Sequence, residues 1–541
     1  MRVPALIVLI AGCPFAAAHP VDDVLKKVPS KTALCLVAKD LHQTVGRLSQ
    51  SPFASWLKSS PLTGVLGPQG DPASFAEFER MLARHFGLTA DELLRDVFGD
   101  AVAFCFEPGP PERSLILVKP RKPEVAAGFL AKLDELQKNE LKSVTTETVA
   151  GATITIREKA NSQEAYTWHE GLLLFSGERR TIVDYLVNRP VASQPRIAES
   201  LSALKAHDSP LTLWIDPRAF DDEFRKDRPA DPRERLLHDL VAGVWMSVEH
   251  LAFHIDITDV LTIRASMRFI ESKLPEASRN WLPQAGRSSL WEVIPADALL
   301  AIAGRIKLSD ALKPFEGDTA KSLAPLVGKN KYPSLLEAVG PDWGLWMTEP
   351  ERTGHWLPDW TFAVKVRPDP SGKTDSARVM VDTADAAAQL FRMAYNTSNS
   401  DQIELTETTI AGHRIRVIKG DGLPSGLSPS YSLKSGYFLL ASNPERIARF
   451  ESPRQDDTTS RESPLLRISS SGLKRYLERH GDVLAVSWSK INGKSAPEIK
   501  RSFLEIGAIL AAIDRAELSA SHHDGVSRLS LTFEPVRPLQ K

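Results

Sequence analysis

The sequence predicts an α+β fold made of two homologous tandem units, each a mainly antiparallel sheet covered by helices. Three observations predict it. Short apolar runs are joined by turn residues at spacings too short for a crossover helix, which favours antiparallel pairing. Between groups of strands lie segments with apolar residues at i, i+3 and i+4, the period of a helix lying on a sheet. Blocks of the first half return in the same order about 265 residues later, the signature of an internal repeat.

The repeat begins where Val28-Pro29-Ser30-Lys31-Thr32-Ala33 is answered by Ile294-Pro295-Ala296-Asp297-Ala298-Leu299, an offset of 266. Val149-Ala150-Gly151-Ala152 returns as Ile410-Ala411-Gly412-His413, an offset of 261, and Tyr166 and Gly171 return as Tyr431 and Gly436, an offset of 265. Ser266-Met267-Arg268-Phe269 pairs with Ser530-Leu531-Thr532-Phe533 near the ends. The offset slips to 242 at Glu107-Pro108, matched by Glu349-Pro350, because the first copy is longer between Asp40 and Asp100. Phe53, Trp56 and Leu57, then Phe75, Phe78, Met81 and Leu82, give that insert a helical spacing.

Each copy opens with a strand near 33–38 or 298–303. A hairpin follows at 100–106 and 114–118, or at 343–348 and 361–366, and then a helix at 123–138 or 383–395. Three strands come next, near 152–157, 164–168 and 172–176, matched by 413–418, 430–433 and 436–441. Glu170-Gly171 and Ser435-Gly436 supply the turn glycines. A helix at 179–188 or 444–451 leads to a strand at 211–215 or 483–488, a helix at 233–247 or 497–513, and a last hairpin at 250–257 and 261–269 or 516–522 and 526–533. The expected domains are therefore 19–271 and 293–541. Pro275, Pro283 and Gly286 interrupt the periodicity over a linker at 272–292.

Residues 1–18 read as a signal peptide, with Arg2, an apolar stretch from Val3 to Ala11, and a small-residue cleavage site at Ala16-Ala17-Ala18. Ile10-Ala11-Gly12-Cys13 offers a second reading, a lipobox that would leave Cys13 lipidated. Both readings export the chain to the periplasm, the cell envelope or the medium. No later run is long and apolar enough for a transmembrane helix. With 67 basic and 68 acidic residues the charge nearly cancels, so nucleic acid is not an expected partner. Beyond Cys13 only Cys35 and Cys105 remain, each inside an apolar strand. Two buried free thiols acting as packing groups are expected there; the alternative is a bridge, open to them only if the strands are neighbours.

Pro29-Ser30-Lys31-Thr32-Ala33-Leu34 followed by Asp40-Leu41, then Ser51-Pro52-Phe53 with Trp56-Leu57, resembles a large group of exported bacterial proteins built on a domain of unknown function. Their strand, hairpin and Tyr-x-x-x-x-Gly-apolar pattern is similar to residues 150–187 and 411–451. The resemblance spans most of the chain beyond residue 18 and implies no activity, cofactor or site residue.

Motifs for nucleotide binding, zincin chemistry and the α/β-hydrolase nucleophile do not occur. Ser-x-x-Lys occurs at Ser55/Lys58, Ser202/Lys205, Ser471/Lys474 and Ser487/Lys490, without the companion motifs of the penicillin-binding enzymes. His254 and Asp256 share a strand face, which reads as the polar side of an edge strand. His522-His523-Asp524 reads as a hairpin tip. No cofactor or metal is expected.

The second unit gathers Trp343, Trp346, Trp356 and Trp360 around one hairpin. Trp346 aligns with Phe104 and belongs to the core. Trp343, Trp356 and Trp360 are the candidate binding residues. Such faces stack a sugar ring or bury a partner's apolar patch, or they close the hairpin by packing on one another. The expected function is an exported, non-catalytic envelope or secreted protein presenting a surface or groove to a protein, lipid or glycan. The alternative is a hydrolase with a site assembled from scattered residues.

Overall fold

The structure, a computed structural model, describes residues 20–53, 72–137, 141–188, 196–222, 228–275, 287–305, 337–351, 355–368, 375–454, 462–510 and 513–536. The expected signal peptide with Cys13, the helical positions Trp56 and Leu57, and Pro283 and Gly286 lie outside these residues. The chain forms helices and antiparallel sheet, so the α+β class holds. It divides into two compact units, one within 1–48, 71–219 and 250–256, the other within 49–70, 220–249 and 257–541.

The first unit carries β1 (Leu34–Lys39), β2 (Ala101–Glu107), β3 (Arg113–Lys119), β4 (Ser143–Val149), β5 (Ala152–Glu158), β6 (Gln163–His169), β7 (Leu172–Ser176), β8 (Leu211–Ile215) and most of β9 (Val248–Ile257). They pair in the order β4-β5-β6-β7-β3-β2-β1-β8-β9, all antiparallel. Its helices are α1 (Pro20–Leu25), α2 (Leu41–Gln50), α3 (Pro72–Met81), α4 (Pro123–Gln137), α5 (Arg179–Val187) and α6 (Arg196–Ala203).

Alternation along the strands sends Cys35, Val37, Ala103, Cys105, Leu115, Leu117 and Trp214 to one buried face. The Trp214 indole donates to Ser200 Oγ on α6 at 2.8 Å. α4 covers part of the opposite face. There Leu130 packs with Val118 and Leu173, and Ala126 packs with Leu82, Phe86, Leu93 and Val97 of the insert. The described part of the insert is mainly helical, with Leu82–Phe86 and Leu93–Val97 as single π-helical turns.

The second unit carries α7 (Pro232–Ser247), then β10 (Leu261–Phe269), β11 (Leu300–Arg305), β12 (Val339–Thr348), β13 (Asp359–Val366), β14 (Glu404–Ile410), β15 (His413–Lys419), β16 (Ser430–Lys434), β17 (Tyr437–Ala441), β18 (Ser463–Ser469), β19 (Ile513–His523) and β20 (Val526–Pro535). Their order is β14-β15-β16-β17-β13-β12-β11-β18-β19-β20-β10, again antiparallel. Helices α8 (Ser376–Ser398), α9 (Pro444–Arg449), α10 (Ser470–Asn492) and α11 (Ala496–Leu510) complete it. The core gathers Leu290, Trp291, Ala301, Trp346, Ala363, Tyr437, Leu439 and Phe450 on one face.

Three readings from sequence need correction. Residues 483–488 are not a strand but lie inside α10, which runs from the Ser469 cap, whose Oγ accepts from Gly472 N at 3.1 Å, to Gly493 at φ +69. The strand of that region is β18, upstream. A short apolar run reads alike in a buried strand and in a helix, and only the cap and stop distinguish them. Trp346 is core, but it sits opposite Ala301 as Cys105 sits opposite Cys35, so by register it answers Cys105 rather than Phe104. His254 is not a wet edge residue; it is buried, and its Nδ1 lies 2.8 Å from Ser209 Oγ.

The hairpin turns are as their residues require. Ala150-Gly151, Glu170-Gly171, Ala411-Gly412, Ser435-Gly436 and Asp524-Gly525 all have positive φ at both positions, the two-residue turn that matches strand twist.

Candidate functional site

The cross-strand registers of the first unit place one apolar side chain after another in a straight row across its sheet. Phe253 lies opposite Leu213, Leu213 opposite Leu36, Leu36 opposite Phe104, Phe104 opposite Ile116, and Ile116 opposite Phe175. The neighbouring row runs Ile255, Leu211, Ala38, Val102, Val118 and Leu173, and it too has no polar member. At the Val118 and Leu173 end the face is closed by α4. At the other end it is open: Leu36 and Phe104 are 38% exposed and Phe253 is 41% exposed. Strand residues of this kind belong against something apolar, because leaving them wet forgoes about 25 cal/mol per Å² of apolar surface.

The second unit carries the same kind of row. Ile263, Leu531, Leu518, Leu466, Ile302, Leu345, Phe362 and Leu440 follow one another through direct pairing, and α8 lies over its last members. The two covered ends share a polar arrangement. Tyr166, next after Phe175, donates its hydroxyl to Asp134 on α4 at 2.9 Å; Tyr431, next after Leu440, donates to Asp385 on α8 at 2.6 Å. In each unit an arginine of the adjoining strand pairs with that aspartate, Arg157 in the first and Arg416 in the second. Burial, then the Asp134 bond, pushes the Tyr166 hydroxyl up, and the same causes act on Tyr431.

Of the three candidate tryptophans, two flank the row of the second unit. Trp343 stands opposite Val364 and packs with Ala338 and Met380, while Trp360 stands opposite Met347, four residues further along β13. Four strand residues span about 13 Å, so these two rings do not form one stacking platform. Trp356 lies outside the strands, half-buried, and its carbonyl accepts from Tyr476 OH at 2.5 Å. Trp346, at even parity, points through the sheet to the core.

Polar groups converge at one cavity of about 490 Å³ in the second unit, lined by Glu351, His355, Asp359, Lys419, Arg446 and Arg449 among others. Asp359 accepts from Asn443 Nδ2 at 2.7 Å and from Arg446 Nη2 at 2.8 Å, and Glu351 pairs with both Arg446 and Arg449. Both carboxylates are thereby held against arginine side chains. Ser209 and His254 form the Ser-His contact that a hydrolase would need, but Asp256 approaches the same Nδ1 at 3.9 Å, so serine and carboxylate compete for one ring nitrogen. A relay needs them on opposite nitrogens. Of the Ser-x-x-Lys pairs, Ser471/Lys474 and Ser487/Lys490 lie along α10. Among the described residues no group of three or more His, Cys, Asp or Glu side chains is placed to hold a metal, and no helix is long and apolar enough to cross a membrane.

The apolar rows were not legible beforehand. The alternation of each strand was, but which residue faces which depends on the register of six strands. No protein-family model matches the chain, and no curated protein is significantly similar to it.

Proposed function

We propose that this is an exported, non-catalytic protein that binds the acyl chain of a lipid along the apolar rows of its sheets. The observation that carries this is the row from Phe253 through Leu213, Leu36 and Phe104 to Ile116 and Phe175, open at one end and without a polar side chain in it or in the row beside it. Its open part, from Phe253 to Phe104, crosses four strands at about 4.8 Å spacing and is about 14 Å long, the scale of a medium-length hydrocarbon chain. A glycan would need hydrogen-bonding groups that these rows do not offer. Burying about ten methylenes is worth about 8 kcal/mol before ordering costs, enough for useful affinity without any specific contact.

The reading includes a duplication of one α+β unit over 19–271 and 293–541, joined by 272–292, with residues 1–18 as signal peptide, and membership of the exported bacterial group that the sequence resembles. The common strand order, the matched turns and the Tyr-Asp pairs support the duplication. Trp343 and Trp360 then act as aromatic flanks of the second row.

Titration of the full chain with a fluorescent fatty acid tests the proposal. Saturable binding is expected, weakened at least tenfold by Leu36→Lys with Phe104→Lys and unchanged by Trp356→Ala. Absence of saturable binding, or binding indifferent to the lysines, overturns it. Loss of polysaccharide binding in Trp356→Ala would favour a glycan instead. The hydrolase alternative rests on the cavity beside Arg446, where His355 is the available base; ester turnover abolished by His355→Ala would favour it.

A further inference from the structure

Cys35 and Cys105 face each other directly across β1 and β2. The hydrogen bonds fix which kind of facing pair they are. Asp40 N donates to Asp100 O at 3.1 Å, so residues 40 and 100 are a hydrogen-bonded position of the ladder continued from Lys39 opposite Ala101. Positions alternate along an antiparallel pair, which makes Cys35 and Cys105 a non-hydrogen-bonded pair. The other edge of β1 agrees: Lys39 N donates to Pro210 O, so the odd residues of β1 bond towards β8, while just before the strand Ala33 N donates to Phe106 O at 2.8 Å, one residue out of register, and Ala33 O accepts from Asp216 N. In a non-hydrogen-bonded pair the Cα atoms are about 4.5 Å apart, inside the range a disulfide spans.

We propose that Cys35 and Cys105 are joined by a disulfide across adjacent strands, made while the chain folds. The pair is sealed in the finished fold. Cys35 is 0% and Cys105 3% exposed, Trp214 lies beside Cys35 on β8, and Leu115 beside Cys105 on β3. The neighbouring Cys35 thiol and burial together hold the Cys105 thiol well above its usual range, so Cys105 offers little thiolate once the chain has folded. Oxidation therefore precedes burial. The Cys35 thiolate attacks one sulfur of a small disulfide oxidant and releases its first thiolate. The Cys105 thiolate then attacks the Cys35 sulfur of that mixed disulfide and releases the second. Two electrons pass to the oxidant, and the two cysteine protons end on its thiols.

The bond would close the whole insert between β1 and β2 into a loop. It would also fix the spacing of Leu36 and Phe104, each adjacent in sequence to one of the cysteines and central to the apolar row. It rests on the exported location only for its oxidant, not for its geometry. The test refolds the reduced, denatured full chain in mixed oxidised and reduced glutathione, then alkylates it in denaturant and maps the peptides. Linked Cys35 and Cys105 peptides are expected, with neither cysteine alkylated, and a thermal midpoint at least about 5 °C above that of the Cys35→Ala, Cys105→Ala double variant. The double variant should regain the native circular dichroism spectrum, which separates loss of the bond from failure to fold. If the refolded wild-type chain has that spectrum and both cysteines alkylate, or carry glutathione, the proposal fails. Fatty-acid binding is read separately, so either proposal can fail alone.

Discussion

Removing Asp134 should cost far more than removing Asp385, although the two aspartates hold similar places. The Arg157 side chain is 1% exposed and pairs with Asp134, itself 27% exposed, with Glu164 as a second carboxylate at 3.8 Å. Leaving a buried guanidinium without its main partner costs about 3–5 kcal/mol; the remaining Glu164 brings that to about 2–3 kcal/mol. Tyr166 loses its acceptor as well, about 1 kcal/mol more. Asp134→Ala is therefore expected to destabilise by about 3–4 kcal/mol. In the second unit Arg416 is 40% exposed and keeps Glu407 at 2.8 Å, so Asp385→Ala loses little beyond the Tyr431 bond, about 1 kcal/mol. Urea titration followed by circular dichroism reads both variants through the shift of the midpoint. Asp134→Leu with Arg157→Met should recover most of the loss, because an apolar pair of similar volume replaces the charges. Equal shifts for the two alanine variants, or less than about 1 kcal/mol for Asp134→Ala, would refute the reasoning.

Two further outcomes follow from local chemistry. Burial holds the Lys39 amine below its usual range against the pull of Asp208 and Asp22, and its Nζ is without a hydrogen-bond partner. Between the folded value and 10.5 the unfolded chain binds the extra proton, so this group's contribution makes stability rise with pH through that window; Lys39→Met should raise the melting temperature at pH 7 and flatten the alkaline rise. Ala150 sits at φ +51 in the first turn position, where asparagine is favoured, and Ala150→Asn should stabilise by about 1 kcal/mol, measured as a higher urea midpoint.

Much of the local structure was legible from residues alone. The strand of 211–215 and the turn glycines at 171 and 436 lie where their patterns put them, because alternation and left-handed backbone leave direct marks in sequence. The run at 483–488 reads as a strand because its apolar β-branched residues suit a strand as well as the middle of α10. The Tyr-Asp pairs leave no mark in the sequence, because tyrosine and aspartate lie far apart along the chain, Asp134 and Tyr166 on different elements.

What the sequence by itself determined is therefore periodicity: which residues of each strand and helix are apolar, and where the chain turns. Register was decided only by the tertiary structure. Shifting one strand by a residue would send its whole apolar set to the other face, and nothing within a strand says which neighbour it pairs with or at what offset. That choice aligned Leu213, Leu36 and Phe104 into one row, brought Cys35 opposite Cys105, and turned His254 inward to Ser209. Each is a contact between segments distant along the chain, set by the packing of all the strands together.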